Sequence, residues 1–382
     1  MACKKSLFRP LCSRTLILAD NISMKILKRN LLFILILLFI IISGCLTKPS
    51  VIEHGIFAPS RHEYVLGQDG VCSIQFDDTL TLWTFADTIL GKWKTGNGPV
   101  SSLETDTISD AMISNSLAWS ERITSKNFRN IKLSYLTEDG RPTQFIKNRS
   151  GEDPLYHRFW ALDGVRVGNR VYVYYLHVYV PDYTKLLDFK VIYSGLAVWY
   201  IPEGWRPGDP VRFKRLGQMF QGEYPAYGAS VMLKDGYVYL AGHFKKGGRF
   251  PLSFARVQDD KIEDITAYEF LTAGGVWVKD IDAAGEFFGD VSGECSISYN
   301  SRLNKYIVIY SKIFTGEITA VSFAGFDRMN DAEYATVYVP KKKEGAPMWP
   351  YSGKEIFSED GRIYIIYIDP LIYQPILIEL KL

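Results

Sequence analysis

One strand–turn–strand unit returns five times along this chain, and that repetition constrains the fold more than any other feature. The sharpest pair sets Cys72-Ser73-Ile74-Gln75-Phe76-Asp77 against Cys295-Ser296-Ile297-Ser298-Tyr299-Asn300, a register in which Trp83 falls on Tyr306. Three more copies carry glycine turns of the hairpin kind. They are Val165 to Tyr174 around Gly168-Asn169, Ala229 to Leu240 around Asp235-Gly236, and Glu355 to Tyr367 around Asp360-Gly361. Trp83, Tyr172, Tyr239, Tyr306 and Tyr364 mark the second strands, at intervals of 89, 67, 67 and 58 residues. Each interval is long enough for four strands.

Four-stranded units repeated at this period predict an all-β fold, a five-bladed β-propeller of four-stranded blades spanning residues 59–382. The strands of a β-sandwich would not return as similar hairpins at so long a period. The WD40 and kelch signatures are absent, and so is the Ser-x-Asp-x-Gly-x-Thr-Trp box of sialidases. Short helical excursions are expected near Asp110 to Trp119 and near Asp327 to Tyr334. Trp83, Tyr172 and Tyr239 alternate along strands rich in Val and Ile, which makes them core.

The N-terminal segment has a different pattern. Leu31 to Ile42 is an unbroken apolar run preceded by Lys25, Lys28 and Arg29, short for a membrane span and suited to a secretory signal. Ile42-Ser43-Gly44-Cys45 then resembles the bacterial lipobox, whose cysteine is diacylated. The expectation is a lipoprotein signal peptide over 1–44, with Met24 as its true start, a lipidated tether over 45–58, and lipid on Cys45. Leu46 after that cysteine favours outer-membrane sorting if the cell is Gram-negative. Removing residues 1–44 takes away seven basic residues and Asp20, leaving 44 − 7 = 37 bases against 42 − 1 = 41 acids. A slightly acidic chain in which no basic patch stands out beyond Lys341-Lys342-Lys343 argues against nucleic acid as a partner. Cys72 and Cys295 remain, as two buried thiols or an export-compatible disulfide. No CxxC pair, HExxH or EF-hand-like loop is present, so no metal and no cofactor are expected.

The candidate chemistry lies in the first hairpin. A turn near Asp78-Thr79 makes cross-strand partners sum to about 156 to 158, which sets Asp69 opposite Asp87 at the open end. Two carboxylates opposite each other oppose folding, so the pair invites a functional reading. Glu294, just before the matching hairpin, should reach the same face, with Asp163 and Glu223 as further contributors. Trp160, Tyr156 and Tyr227 lie near strand entrances where rings could stack on sugars, and His157 and His243 are the histidines to watch. Two or three carboxyls in an aromatic funnel suit glycoside hydrolysis, one donating a proton while another is ionised.

Gln68-Asp69-Gly70, Ser73-Ile74 and Leu82-Trp83-Thr84-Phe85-Ala86-Asp87-Thr88 resemble the opening signature of the domain-of-unknown-function 4185 propellers. Asn115-Ser116, Trp160-Ala161-Leu162-Asp163-Gly164 and Tyr227-Gly228-Ala229-Ser230 through Tyr237-Val238-Tyr239 resemble later segments of that family. The likeness covers most of residues 60–370. It implies a five-bladed propeller, and for some members endo-D-arabinanase activity with two aspartates, here Asp69 and Asp87. Ala86 stands where the family often has Gly, and Ala161 where it often has Pro.

The sequence therefore implies a surface-anchored hydrolase of furanosyl glycans, with Asp69, Asp87 and Glu294 catalytic. Asn115, His157, Trp160, Asp163, Glu223 and Tyr227 would bind the polysaccharide or oligosaccharide. The competing expectation is a glycan-binding or scaffold lipoprotein using the same funnel without chemistry. A carboxyl of the pair tied into a salt bridge would favour it.

Overall fold

The structure, a computed structural model, describes residues 50–60, 62–94, 107–185 and 188–381. The signal segment, Cys45 and Leu46 lie outside these residues. Among the described residues no helix is long and apolar enough to cross a membrane.

The fold is all-β and built from antiparallel hairpins. The two Asp-Gly turns place both residues at positive φ, Asp235 at 52° with Gly236 at 76°, and Asp360 at 53° with Gly361 at 74°. That backbone matches the right-handed twist of the flanking strands, which is why Asp-Gly is favoured there. All five marker aromatics lie on the second strands of their hairpins.

Each hairpin extends outward into a sheet. Sheet 1 comprises Cys72–Gln75, Leu80–Phe85, Ser116–Glu121 and Ser134–Tyr135. Sheet 2 runs through His157–Val167, Arg170–Tyr179, Lys190–Tyr200 and Lys214–Gln221. Sheet 3 starts with Ser230–Lys234, Tyr237–His243 and Leu252–Gln258 and adds two short outer strands, Glu269–Leu271 and Trp277–Val278. Sheet 4 holds Val291–Asn300, Lys305–Lys312, Ile318–Phe323 and Glu333–Tyr338. Sheet 5 joins Tyr351–Glu359, Arg362–Asp369 and Gln374–Lys381 to the N-terminal strand Ser50–Ile56. The expected tether over 45–58 is thus corrected from residue 50 onward, because those residues close the last sheet.

The first strands of sheets 1 to 5 pack against one another in cyclic order, sheet 5 returning to sheet 1. Second strands are buried on both faces, and alternate side chains feed different cores. In sheet 2, Tyr172, Tyr174 and Leu176 point into the cluster shared with sheet 3, while Val171, Val173 and Tyr175 point into the one shared with sheet 1. In sheet 5, Ile363, Ile365 and Tyr367 pack with sheet 4, and Tyr364, Ile366 and Ile368 with sheet 1. Sheets 3 and 4 share the remaining cluster, around Tyr239, Phe254, Val308 and Phe323.

Side-chain hydrogen bonds to backbone repeat between every neighbouring pair of sheets. Thr84 Oγ1 donates to the Leu162 carbonyl at 2.9 Å. The Val231 amide donates to Asp163 Oδ2 at 2.8 Å, the Ile297 amide to Ser230 Oγ at 2.8 Å and the Glu355 amide to Ser296 Oγ at 2.8 Å. Ser73 Oγ donates to the Ile356 carbonyl and closes the ring.

The expected helix near Asp110 to Trp119 is not formed: Thr107–Ile113 and Ser116–Glu121 are strands. Thr107–Ile113 belongs to a small separate sheet with Val65–Gln68 and Thr88–Trp93. A short, kinked 3-10 excursion does occur at Phe326–Asp331, where Phe326 and Met329 are buried in the sheet 3–sheet 4 core.

Candidate active site

The first hairpin breaks where the sequence placed its acids. Ser73 pairs with Trp83 in sheet 1, and Gln68 pairs with Thr88 in the small sheet, so one register runs through both. Between them Asp69 faces Asp87: the Asp69 amide donates to the Asp87 carbonyl at 3.2 Å, and the Ala86 amide to the Asp69 carbonyl at 3.0 Å. Gly70 makes the break possible. Its φ is +60°, and a Cβ there would meet the Ala86 Cβ at 2.5 Å. Ala86 is therefore accommodated by the absence of a side chain across the hairpin.

The two carboxyls have unequal surroundings. Asp87, 9% exposed, receives the Trp160 indole N–H on Oδ1 at 3.0 Å and Arg158 Nη1 on Oδ2 at 3.1 Å. Burial raises its pKa, and Arg158 and Trp160 oppose that rise. Among the described residues no cation forms an ion pair with Asp69, and none figures among the causes of its shift. Tyr351 donates its hydroxyl to Asp69 Oδ2 at 2.9 Å, and Tyr373 stands on the same carboxyl. Burial, then the charges of Asp87 and Glu294, push the Asp69 pKa up to about 8. Burial and the charges of Asp87 and Glu294 favour the protonated form of Asp69, while Arg158 and Trp160 favour the ionised form of Asp87, and the two titrate as one coupled unit.

Glu294 comes from sheet 4, in an irregular stretch between Val291 and Cys295 where the ladder to the second strand is interrupted. Gly293 turns the chain there with φ +112°. Glu294 is half-buried and acts on Asp69, Tyr351, His243 and Lys354. Its charge reaches Asp69, which brings it into the electrostatics of the aspartate pair.

Sequence reasoning missed the charge that balances these acids. Lys354, 2% exposed on the first strand of sheet 5, donates from Nζ to Cys72 Sγ at 3.0 Å. Desolvation lowers its pKa, but Cys72, Glu294 and Asp163 outweigh that and raise it, so the ammonium persists where the first strands converge. A lysine inside the strand Tyr351–Glu359 was the available signal. Cys72 and Cys295 are buried and free, with no disulfide between them, and desolvation pushes the Cys72 thiol up to about 12.

The other candidates separate. Trp160 and Glu294 stand at the pair. The Asp163 carboxylate receives the amides of Val231 and Gly164, both at 2.8 Å, so it joins two sheets while its pKa is raised by burial to about 6. His157 shares a 3.0 Å contact between its Nδ1 and His177 Nε2, one residue from Arg158 at the same sheet end. Three candidates are corrected. Asn115 is fully buried, its amide spent on the carbonyls of Ile146 and Phe159 and its oxygen on the amides of Phe145 and Ile146. Tyr227 is fully buried in the sheet 2–sheet 3 core with its hydroxyl on Ser253, so no ring face is free for a sugar. Glu223 is exposed in the loop before sheet 3. Proximity to a strand start did not fix which way it points.

Comparison with solved structures places the fold among known architectures. A Bacteroides ovatus protein described as a candidate hydrolase superposes with a TM-score of 0.60 at 15% identity, over 85% of this chain and 87% of that one. A family 117 glycoside hydrolase produced by the marine bacterium Zobellia galactanivorans superposes with a TM-score of 0.50 at 10% identity, over 87% and 90%. At these identities the likeness concerns the fold. No curated protein matches significantly. The sequence of residues 59–324 matches the model of the domain of unknown function DUF5005, and the chain belongs to that family.

Proposed function

We propose that this chain is an exported, lipid-anchored glycoside hydrolase with a five-bladed β-propeller fold that cleaves furanosyl, arabinan-like glycans. The observation that carries the reading is the opposed and unequal pair Asp69 and Asp87. Asp69, with its pKa near 8, holds the proton that a leaving glycosidic oxygen needs. Asp87, beside Arg158 and the Trp160 N–H, is the ionised partner, as nucleophile or as base for water. Glu294 supplies a second negative charge that helps keep Asp69 protonated. Five sheets around one centre, one core between each neighbouring pair, support the blade count. The fold likeness to a family 117 glycoside hydrolase supports the reaction class, and the motif resemblance to propellers that include endo-D-arabinanases supports the substrate class. Export and anchoring rest on the apolar run and Cys45.

The test is product release from arabinans, galactofuranans and other envelope polysaccharides by the wild-type protein and by Asp87→Asn. Turnover that disappears in a folded Asp87→Asn protein supports the assignment; a fully active variant sinks it.

A second reading is favoured by one observation, the Arg158–Asp87 ion pair, which occupies a carboxylate that catalysis would leave free. In it the funnel binds glycan without cleaving it. Glycan affinity without turnover across the panel would select that reading.

A further inference from the structure

Two buried polar atoms beside Glu294 have no hydrogen-bond partner among the described residues, His243 Nδ1 and Ser292 Oγ. His243 ends the second strand of sheet 3, and its carbonyl is already committed to the Ala226 amide at 2.8 Å. Ser292 opens the irregular Ser292-Gly293-Glu294 stretch at the start of sheet 4. The two segments touch, since a Cβ on Gly293 would lie 4.0 Å from His243 Cε1. Second strands end and first strands begin on one side of the ring, so both residues stand at the same end as Asp69 and Asp87.

An unmet buried donor or acceptor typically costs about 1–3 kcal/mol, and native structures keep few of them without a use. Here two occur on adjacent segments flanking a half-buried carboxylate. Burial lowers the His243 pKa, which leaves a neutral imidazole with one donor and one acceptor nitrogen. A neutral imidazole, a serine hydroxyl and a carboxylate suit alcohol groups, which both donate and accept. They do not suit an anion. The cations near the site are already engaged, Arg158 on Asp87 and Lys354 on Cys72 among the acids.

We propose that His243 and Ser292 form, with Glu294, a hydroxyl-binding wall that takes the ring alcohols of an uncharged sugar and excludes uronic, sialic or sulfated residues. The inference rests on the glycan reading above and narrows it to neutral sugars. His243 and Ser292 are specificity residues, separate from the aspartates assigned to the chemistry.

The test uses the protein labelled with [15N]histidine and titrated with D-arabinose, L-arabinose, D-xylose, D-galactose, D-galacturonate and N-acetylneuraminate. At least one neutral sugar should shift an imidazole signal that is missing from His243→Phe. Affinity for that sugar should fall about tenfold in His243→Phe and in Ser292→Ala, and recover in part in His243→Gln, which restores a donor and an acceptor. Thermal unfolding of each variant checks that the fold survives, and Ser292→Ala carries the test if His243→Phe does not fold. The inference is overturned if an acidic sugar binds best, if no sugar binds, or if the folded variants bind as wild type does. Hydrolysis of the polysaccharide panel by the same protein variants keeps the two readings apart. Turnover with unchanged affinities in the variants removes only the hydroxyl wall, whereas variant-sensitive binding without turnover removes only the hydrolase.

Discussion

The Asp69 amide donates to the Asp87 carbonyl at 3.2 Å, which sets the two residues opposite each other where a hairpin leaves one sheet and enters another. The pairing is set by backbone, while the difference between the two acids is set by side chains from other sheets. Arg158 and Trp160 of sheet 2 attend Asp87, and Tyr351 of sheet 5 attends Asp69.

Asp69 should destabilise the fold at neutral pH. Its folded pKa, about 8, lies above the ordinary 3.8, so between those values the folded state holds a proton that the unfolded state releases. Stability from this group is fully present below about pH 4 and is lost as pH rises towards 8. Asp69→Asn should therefore be more stable than wild type at pH 7, by on the order of 2 kcal/mol, and no more stable at pH 4. Urea unfolding at both pH values checks the crossover.

Arg158→Met removes the cation that opposes burial at Asp87. The Asp87 pKa should rise further, and the acid limb of the pH–rate profile should move up by about one unit while the alkaline limb stays near its wild-type position. An unmoved acid limb would mean that another group sets it.

Lys354→Met should cost about 3–5 kcal/mol, because the charges of Glu294 and Asp163 would remain in the channel without their counter-charge. The deficit should shrink towards pH 5, where Asp163, already raised to about 6 with Lys354 present, takes up a proton. Denaturant titrations at pH 5 and pH 8 compare the two conditions.

Ser230→Ala strands the buried Ile297 amide at the joint between sheets 3 and 4. A loss of about 1–3 kcal/mol is expected, and a similar separate loss from Ser296→Ala at the next joint. Thermal unfolding of the single and double variants reads both.

The hairpin repeats, their turns and the Asp69–Asp87 register were legible because a tight turn fixes which residues face each other within one hairpin. Ser73 opposite Trp83 follows from that arithmetic alone. It carries no information on what another sheet brings to the same place, so Arg158, Tyr351, Tyr373 and Lys354 escaped it. Tyr227 and Asn115 failed as binding residues for a related reason. A motif near a strand entrance reads the same whether its side chain turns to the funnel or, as in both of these, into the core. The stretch from Asp110 to Trp119 reads as helical because Thr107–Ile113, an exposed strand of a small side sheet, lacks the alternation a half-buried one shows.

The most direct test of the acid–base asymmetry is an infrared titration of the carboxyl groups, wild type against Asp69→Asn, which needs no substrate. The account predicts a protonated carboxyl band in wild type at about pH 6 that is missing from Asp69→Asn and fades as pH passes about 8. Identical protonated-carboxyl spectra for the two proteins at about pH 6 would show that Asp69 carries no proton there, and would contradict the assignment of Asp69 as the proton donor.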